Sequence, residues 1–191
     1  GKKIDITRPA VVDYVAYLNG KHDAALQKVG GGKKVYDFHY SYNGFAAGST
    51  KLIVPRFVRR FYGYNSGFQI QNVGTNPTTM TIVFTFDGVA YTHTTGLIQP
   101  GAAYGVYATA ITALLPVDSL TLNKRFGSAV ITASEPIIAI VNEDNRGNPA
   151  DNNGVPVPVE RIGQGTTYNA FLDGVQTGKV FFAQIVKNAS V

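Results

Sequence analysis

The sequence predicts an all-β protein built from short antiparallel strands. Its 191 residues include 21 glycines, 9 prolines, 11 tyrosines and 11 phenylalanines, a composition typical of strands joined by turns. Apolar residues alternate with Thr81, Val83 and Thr85 from position 80 to 86, which predicts a strand with one buried face. There is no cysteine, so neither disulfides nor thiolate chemistry can contribute.

The elements can be assigned in chain order from periodicity and turn residues. Strands are expected at 68–71, 80–86, 91–95, 128–132 and 137–141. Turns are expected at 72–77, 87–88 and 99–101, and Ser134, Glu135 and Pro136 are expected to separate the last two strands. The strand at 137–141 is apolar on both faces and should be central. Residues 108–115 are the best helical candidate of this region, and 142–164 form the longest loop.

The end of the chain repeats a stretch found near its beginning. Tyr42-Asn43-Gly44-Phe45 and Lys51-Leu52-Ile53-Val54 recur as Tyr168-Asn169-Ala170-Phe171 and Lys179-Val180-Phe181-Phe182. The offset is 126 to 128 residues (168 − 42 and 179 − 51), and a fixed offset marks repeated units. The first unit would be incomplete, which invites completion by a neighbouring chain.

Charge is distributed unevenly along the chain. Residues 1–60 hold eleven Lys and Arg against four Asp, whereas residues 61–191 hold six Lys and Arg against eight Asp and Glu. A basic arm of this kind could simply be a solvated surface that aids solubility. It could also dock on an acidic surface of an identical chain, or bind an anionic polymer such as nucleic acid. Charge alone does not choose among the three. No run of about 18 apolar residues occurs, so no transmembrane segment is expected.

The residues that carry chemistry are sparse. His22, His39 and His93 lie in unrelated contexts without catalytic or metal-binding spacing, and His93 is expected to be an exposed cross-strand residue. We therefore expect no enzyme activity, no cofactor and no metal site. The 142–164 loop offers several oxygen donors of the kind that calcium prefers. Because Arg146 would repel the ion, a solvated turn-rich loop is favoured there, and calcium binding is left open.

A second cluster combines cations and rings. Arg56, Arg59 and Arg60 interleave with Phe57 and Phe61, a mixture that could stack on single-stranded nucleic acid. The same pattern fits an outer strand whose arginines face water or a carboxylate. Its repeated copy at 181–187 keeps one cation, so nucleic acid is the less favoured partner.

Several motifs resemble a repeat family of bacterial extracellular proteins. They include Asn65-Ser66-Gly67-Phe68, Ser134-Glu135-Pro136-Ile137 and Tyr168-Asn169-Ala170-Phe171. The resemblance implies an immunoglobulin-like antiparallel β-sandwich over residues 51–191 and an extracellular or cell-surface location. It brings no catalytic residues. Residues 1–50 depart from the family pattern and form a basic N-terminal arm that is only a partial repeat.

These observations predict a structural subunit of an extracellular filament or surface layer. The arm would donate a strand to the open edge of the next identical subunit, or exchange with its arm, so that the chains polymerise head to tail. The expected contacts are the apolar arm residues Ile4, Ile6, Val11, Val12, Tyr14, Val15 and Tyr17. Asn188 begins a sequon and is a candidate glycosylation site. The alternative is a monomeric adhesion or polysaccharide-binding module that uses the 142–164 loop and surface tyrosines, with surface polysaccharide as its partner.

Overall fold

The structure, a computed structural model, describes residues 44–173. This part of the chain is predominantly antiparallel β-sheet, so the all-β prediction is confirmed there. The eight strands are β1 (Ser49–Val58), β2 (Tyr64–Asn72), β3 (Met80–Phe86), β4 (Val89–Thr94), β5 (Ala103–Tyr107), β6 (Phe126–Asn145), β7 (Gly165–Asn169) and β8 (Phe171–Leu172). Short 3₁₀ helices lie at Ala108–Ala110, Thr112–Ser119, Leu122–Lys124, Pro149–Asn152 and Val159–Arg161.

Strand β6 organises the fold because it belongs to two halves at once. Its first part, 126–133, lies between β1 and β3, and its second part, 137–145, lies between β2 and β7. Outside these partners, β4 pairs with β3, β8 with β1, and β5 with β2. The strand orders are therefore β4-β3-β6-β1-β8 in one half and β5-β2-β6-β7 in the other.

The continuity of β6 corrects the prediction of two separate strands. Residues Glu135 and Pro136 do not interrupt the strand, because they fall where its partners change. Pairing with β3 ends at Ala133, and pairing with β2 begins at Ile137. A proline can be tolerated at a point where no ladder bond needs its missing N–H group. The carbonyl of Pro136 still accepts a hydrogen bond from the N–H of Val73 at 2.9 Å.

The core consists of the inward-facing side chains of both halves. Phe57, Phe68 and Phe84 pack together, with ring centroids 4.5 to 5.9 Å apart. Fully buried aliphatic side chains surround them, among them Leu52, Val54, Ile70, Met80, Ile82, Ile131 and Ile137. The alternation predicted at 80–86 is confirmed, and so is the central position of 137–141.

The predicted turn at 87–88 is also confirmed. Asp87 and Gly88 both have positive φ, 48° and 79°, and Phe86 pairs directly with Val89. This is the two-residue hairpin geometry that an Asp-Gly pair favours.

The segment between β5 and β6 closes one side of the core. Ile111, Leu114 and Val117 are buried there. The helix predicted at 108–115 is replaced by two 3₁₀ helices, Ala108–Ala110 and Thr112–Ser119, the second of which contains Pro116. Within residues 44–173, no helix has both the length and the apolar character needed to span a bilayer.

Candidate functional site

The candidate site for strand addition lies at β8, which ends the strand order of its half. β8 pairs with β1 at Leu52 and Ile53, and the N–H of Asp173 donates to the carbonyl of Lys51 at 3.1 Å. Among residues 44–173, β1 is its only strand partner. The described sheet therefore presents an edge at β8, where main-chain groups can pair with a further strand.

An apolar groove of about 480 Å³, which we call the edge groove, lies beside this strand. It is lined by Gly44, Phe45, Ala46, Ala47, Asn169, Ala170, Phe171 and Leu172. The side chain of Phe171 is 52% exposed even though it belongs to a strand. Exposed apolar surface of this kind is typical of a contact site.

The edge groove also brings together the two copies of the sequence repeat. Gly44 and Phe45 end the first Tyr-Asn-x-Phe motif of the repeat, and Ala170 and Phe171 occupy the equivalent positions of the second. All four residues line the groove although 126 positions separate the copies. The repeated motif is thus placed twice around one apolar depression.

The predicted arm contacts lie outside the described residues. This applies to Ile4, Ile6, Val11, Val12, Tyr14, Val15 and Tyr17, and equally to the candidate glycosylation site Asn188 and to His22 and His39. The structure therefore describes the edge groove but not the arm, and these assignments stay predictions.

The acidic residues at the start of the 142–164 region are held by separate arginines. Part of this region is strand rather than loop, since β6 continues to Asn145. Both oxygens of Glu143 accept hydrogen bonds from Arg56, each at 2.7 Å. This hydrogen bond raises the pKa of the Arg56 guanidinium. Asp144 accepts hydrogen bonds from Arg146 at 2.9 to 3.2 Å.

Asp151 lies apart from that pair and faces Arg60, with an Nε–Oδ1 distance of 3.5 Å. Burial raises the pKa of its carboxyl group. In the part of the chain that the structure describes, no group of three or more His, Cys, Asp or Glu side chains converges. The loop acids are thus placed against cations rather than around a shared centre.

The cluster of cations and rings at 56–61 is partly interior. Its arginines face carboxylates, as one of the two predicted alternatives had it, but the full burial of Arg59 was not predicted. Arg59 and Phe57 have no exposed surface. The Nε and Nη2 atoms of Arg59 donate to the two oxygens of Asp118 at 2.8 and 2.7 Å. A surface for nucleic acid would lack these two members. No local pattern links Arg59 to Asp118, which lies 59 residues further along the chain.

His93 is a cross-strand residue as predicted, paired with Ile82 of β3, but it is half-buried rather than exposed. Its Nε2 atom lies 2.8 Å from the hydroxyl of Tyr104, and the two rings are stacked with centroids 6.0 Å apart. Burial lowers the pKa of the imidazole. The contact joins β4 to β5, the outer strands of the two halves.

Comparisons with known proteins give no family assignment. No protein-family model and no curated protein matches the sequence. Among solved structures, the crystal structure of Thermotoga maritima 1070 is 14% identical, with a TM-score of 0.47 over 66% of this chain and 96% of that chain. The Anabaena sensory rhodopsin transducer is also 14% identical, with a TM-score of 0.37 over 50% of this chain and 97% of its own. At TM-scores this low, neither similarity establishes a shared fold.

Proposed function

We propose that this protein is a non-enzymatic structural subunit of an extracellular filament or surface layer, built on an immunoglobulin-like β-sandwich. The observation that carries the proposal is the edge groove beside β8. Among residues 44–173, β8 ends its strand order and carries the exposed Phe171, and an edge of this kind can accept an added strand. Strand addition supplies a regular set of main-chain hydrogen bonds, and the groove supplies pockets for alternate side chains.

The donor that we propose is the arm of a second copy. Apolar side chains occur along it at Ile4, Ile6, Val11, Val12, Tyr14, Val15 and Tyr17. In an extended arm Ile4, Ile6, Val12 and Tyr14 would share one face, which can enter an apolar groove. Residues 1–60 have an excess of seven positive charges and residues 61–191 an excess of two negative charges. The opposite charges of the arm of one copy and the body of the next favour contact between these two parts.

This contact joins the arm of one subunit to the edge of another, so it is heterologous. A heterologous contact that does not close into a ring generates an open polymer. A filament of identical chains follows without any further partner.

Negative-stain electron microscopy tests the proposal on the full chain, on a chain lacking residues 1–35, and on two point variants. Phe171→Lys places a charge in the edge groove and should abolish filaments. Leu97→Lys changes a side chain that is 62% exposed in the β4–β5 connection and should leave filaments intact. Circular dichroism checks that both variants are folded. Filaments that persist in the truncated chain or in Phe171→Lys would contradict strand donation to this edge.

The same images separate the alternative, a monomeric polysaccharide-binding module. Such a module should give dispersed particles for all four proteins, whereas the proposed subunit gives filaments for the full chain and for Leu97→Lys. Dispersed particles throughout would therefore remove the filament proposal.

A further inference from the structure

The outer face of the second half carries a polar depression that is separate from the edge groove. This depression, which we call the amide groove, has a volume of about 440 Å³. The residues that line it include the glycines Gly67 and Gly105 and the side chains of Gln69, Tyr107, Asn142 and Arg146. The volume lies within the range of about 300–1,000 Å³ typical of ligand sites.

Strand register explains why these residues meet. Tyr107, Gly67, Asn142 and Thr167 form one row across β5, β2, β6 and β7. Gly105 and Gln69 form a pair two residues further along, which is the next pair on the same face of the sheet. Because side chains of alternate residues share a face of a sheet, the amides and the tyrosine point to the same side as the two glycine positions.

Two glycines create the depth of the groove. A Cβ atom at Gly67 would lie 3.1 Å from Cδ2 of Tyr107, and one at Gly105 would lie 3.0 Å from Oε1 of Gln69. The tyrosine ring therefore lies against the bare backbone of Gly67. Larger residues at these two positions would fill the space between the neighbouring side chains.

One wall of the groove is a fixed and electrically balanced cluster. The hydroxyl of Tyr107 donates to Asp144, and Nη2 of Arg146 donates to the same carboxylate at 2.9 Å. The guanidinium carbon of Arg146 lies 4.8 Å from the centre of the Tyr107 ring. Burial and the hydrogen bond to Asp144 raise the pKa of Tyr107, so its hydroxyl stays protonated at physiological pH. The carboxylate and the guanidinium cancel in charge.

The groove is also lined by uncharged hydrogen-bonding groups. Oδ1 of Asn142 accepts a hydrogen bond from the hydroxyl of Thr167 at 2.8 Å, which fixes the orientation of the amide. Gln69 is exposed, lines the groove, and holds its amide against Gly105. An amide offers two donors and an acceptor, and so matches hydroxyl groups that both donate and accept.

We infer that the amide groove binds a neutral oligosaccharide, as a stretch of a longer polysaccharide chain. The groove lies on the outer face of the sheet, so a stretch of a longer chain can lie along it. A polyanion such as nucleic acid is not favoured, because Asp144 balances the charge of Arg146. A protein partner would need a desolvated apolar centre, whereas most side chains that this face of the sheet turns toward the depression are polar, namely those of Gln69, Asn142, Asp144 and Arg146 beside Tyr107. The inference holds whether or not the chain polymerises.

Saturation-transfer difference NMR on the full chain tests it, since this method tolerates large assemblies. The probes are cellohexaose, maltohexaose and mannohexaose, with hexagalacturonate as the acidic counterpart. We expect transfer to at least one neutral probe and less transfer to hexagalacturonate. Gln69→Ala, which removes an amide, should weaken binding about tenfold, as expected for one lost hydrogen-bonded contact. Gly105→Val should weaken binding at least as much, because its side chain fills the groove and crowds Gln69.

Thr92→Ala is the matched control, because Thr92 is exposed on a strand of the other half. Its binding should equal that of the unmodified chain, and thermal melting of all variants checks that each is folded. Absence of transfer to every neutral probe, unchanged binding in Gly105→Val, or preference for hexagalacturonate would each overturn the inference.

Discussion

The guanidinium of Arg59 is fully buried and is held by both carboxylate oxygens of Asp118, at 2.8 and 2.7 Å. Nη1 of the same arginine donates to the carbonyl of Ala108 and lies 3.4 Å from that of Ile111. The residue that follows β1 is thereby joined to the 3₁₀ segment between β5 and β6. A buried charge is tolerated only when it is paired and hydrogen-bonded, so the position of this segment is tied to Asp118.

Asp118→Asn should lower the free energy of unfolding by about 3 kcal/mol, because it leaves the Arg59 charge buried without a countercharge. Urea denaturation followed by circular dichroism measures this. Asp87→Asn is the control, since Asp87 pairs with Lys124 at 2.8 Å where both side chains are at least 40% exposed. An exposed pair of this kind contributes about 0.5 kcal/mol. If both variants lost the same free energy of unfolding, the buried Arg59–Asp118 pair would contribute no more to stability than the exposed pair, and the prediction would be wrong.

Glu135 controls a turn and should make stability depend on pH. Its carboxylate accepts hydrogen bonds from the side chain of Asn76 at 3.1 Å and from the N–H groups of Thr75 and Asn76 at 3.0 and 3.2 Å. The side-chain bond from Asn76 and these backbone bonds lower its pKa below the ordinary 4.5. The stabilisation is therefore present above pH 4.5 and is lost as the pH falls through the lowered pKa.

Melting temperatures measured from neutral pH down to about pH 3 check this for Glu135→Gln. The variant should melt below the unmodified chain at neutral pH, and the difference should shrink as the solution becomes acidic. Glu160→Gln changes another exposed glutamate and should show a smaller difference at neutral pH. If the difference in melting temperature between Glu135→Gln and the unmodified chain stayed constant with pH, the prediction would be contradicted.

His93 should add a second dependence at milder pH. Because burial lowers its pKa below 6.5, the unfolded chain takes up a proton more readily than the folded one, and stability falls as the pH drops below 6.5. His93→Gln should lose less stability than the unmodified chain between pH 7.5 and pH 5, values chosen around the ordinary histidine pKa of about 6.5. Both proteins keep His22 and His39, so the difference isolates His93. Parallel stability curves would refute the assignment.

Gly127 of β6 lies where the neighbouring strand β3 approaches it closely. A Cβ atom there would be 2.3 Å from the carbonyl oxygen of Thr85 and 2.9 Å from Cδ1 of Phe86. Gly127→Ala should therefore destabilise the fold by about 3 kcal/mol, since a paired backbone cannot move aside without disturbing its ladder. Gly96→Ala is the control, because no atom lies within 4 Å of the added group. Similar denaturation midpoints for the two variants would contradict this reading of the contact.

Local patterns predicted the elements whose structure depends on neighbouring residues. The alternation of Met80, Ile82, Phe84 and Phe86 and the Asp87-Gly88 turn were sufficient to place β3 and its hairpin. The continuity of β6 was not predictable in this way. A proline normally interrupts a strand, but Pro136 is accommodated because the pairing partner of β6 changes from β3 to β2 at that point.

The two candidate sites also differ in how far local sequence patterns could predict them. The repeat drew attention to Phe45 and Phe171 before any geometry was known, and both line the edge groove. The amide groove had no such signal, because Gln69, Tyr107 and Asn142 come from three separate strands. A spacing of 73 residues between Gln69 and Asn142 (142 − 69) carries no information until the register is set. The burial of Arg59 depends equally on a distant carboxylate.

The sharing of β6 between the two halves has a mechanical consequence. In a filament assembled through β8, tension would enter at the edge, pass to β1, and reach β6 through their antiparallel ladder. β6 is also bonded to β2, β3 and β7, so the load spreads over ladders in both halves instead of peeling one hairpin. Because hydrogen bonds between antiparallel strands run across the strand direction, a pull along β6 shears many of them together. Such a subunit resists extension as one unit and then yields abruptly.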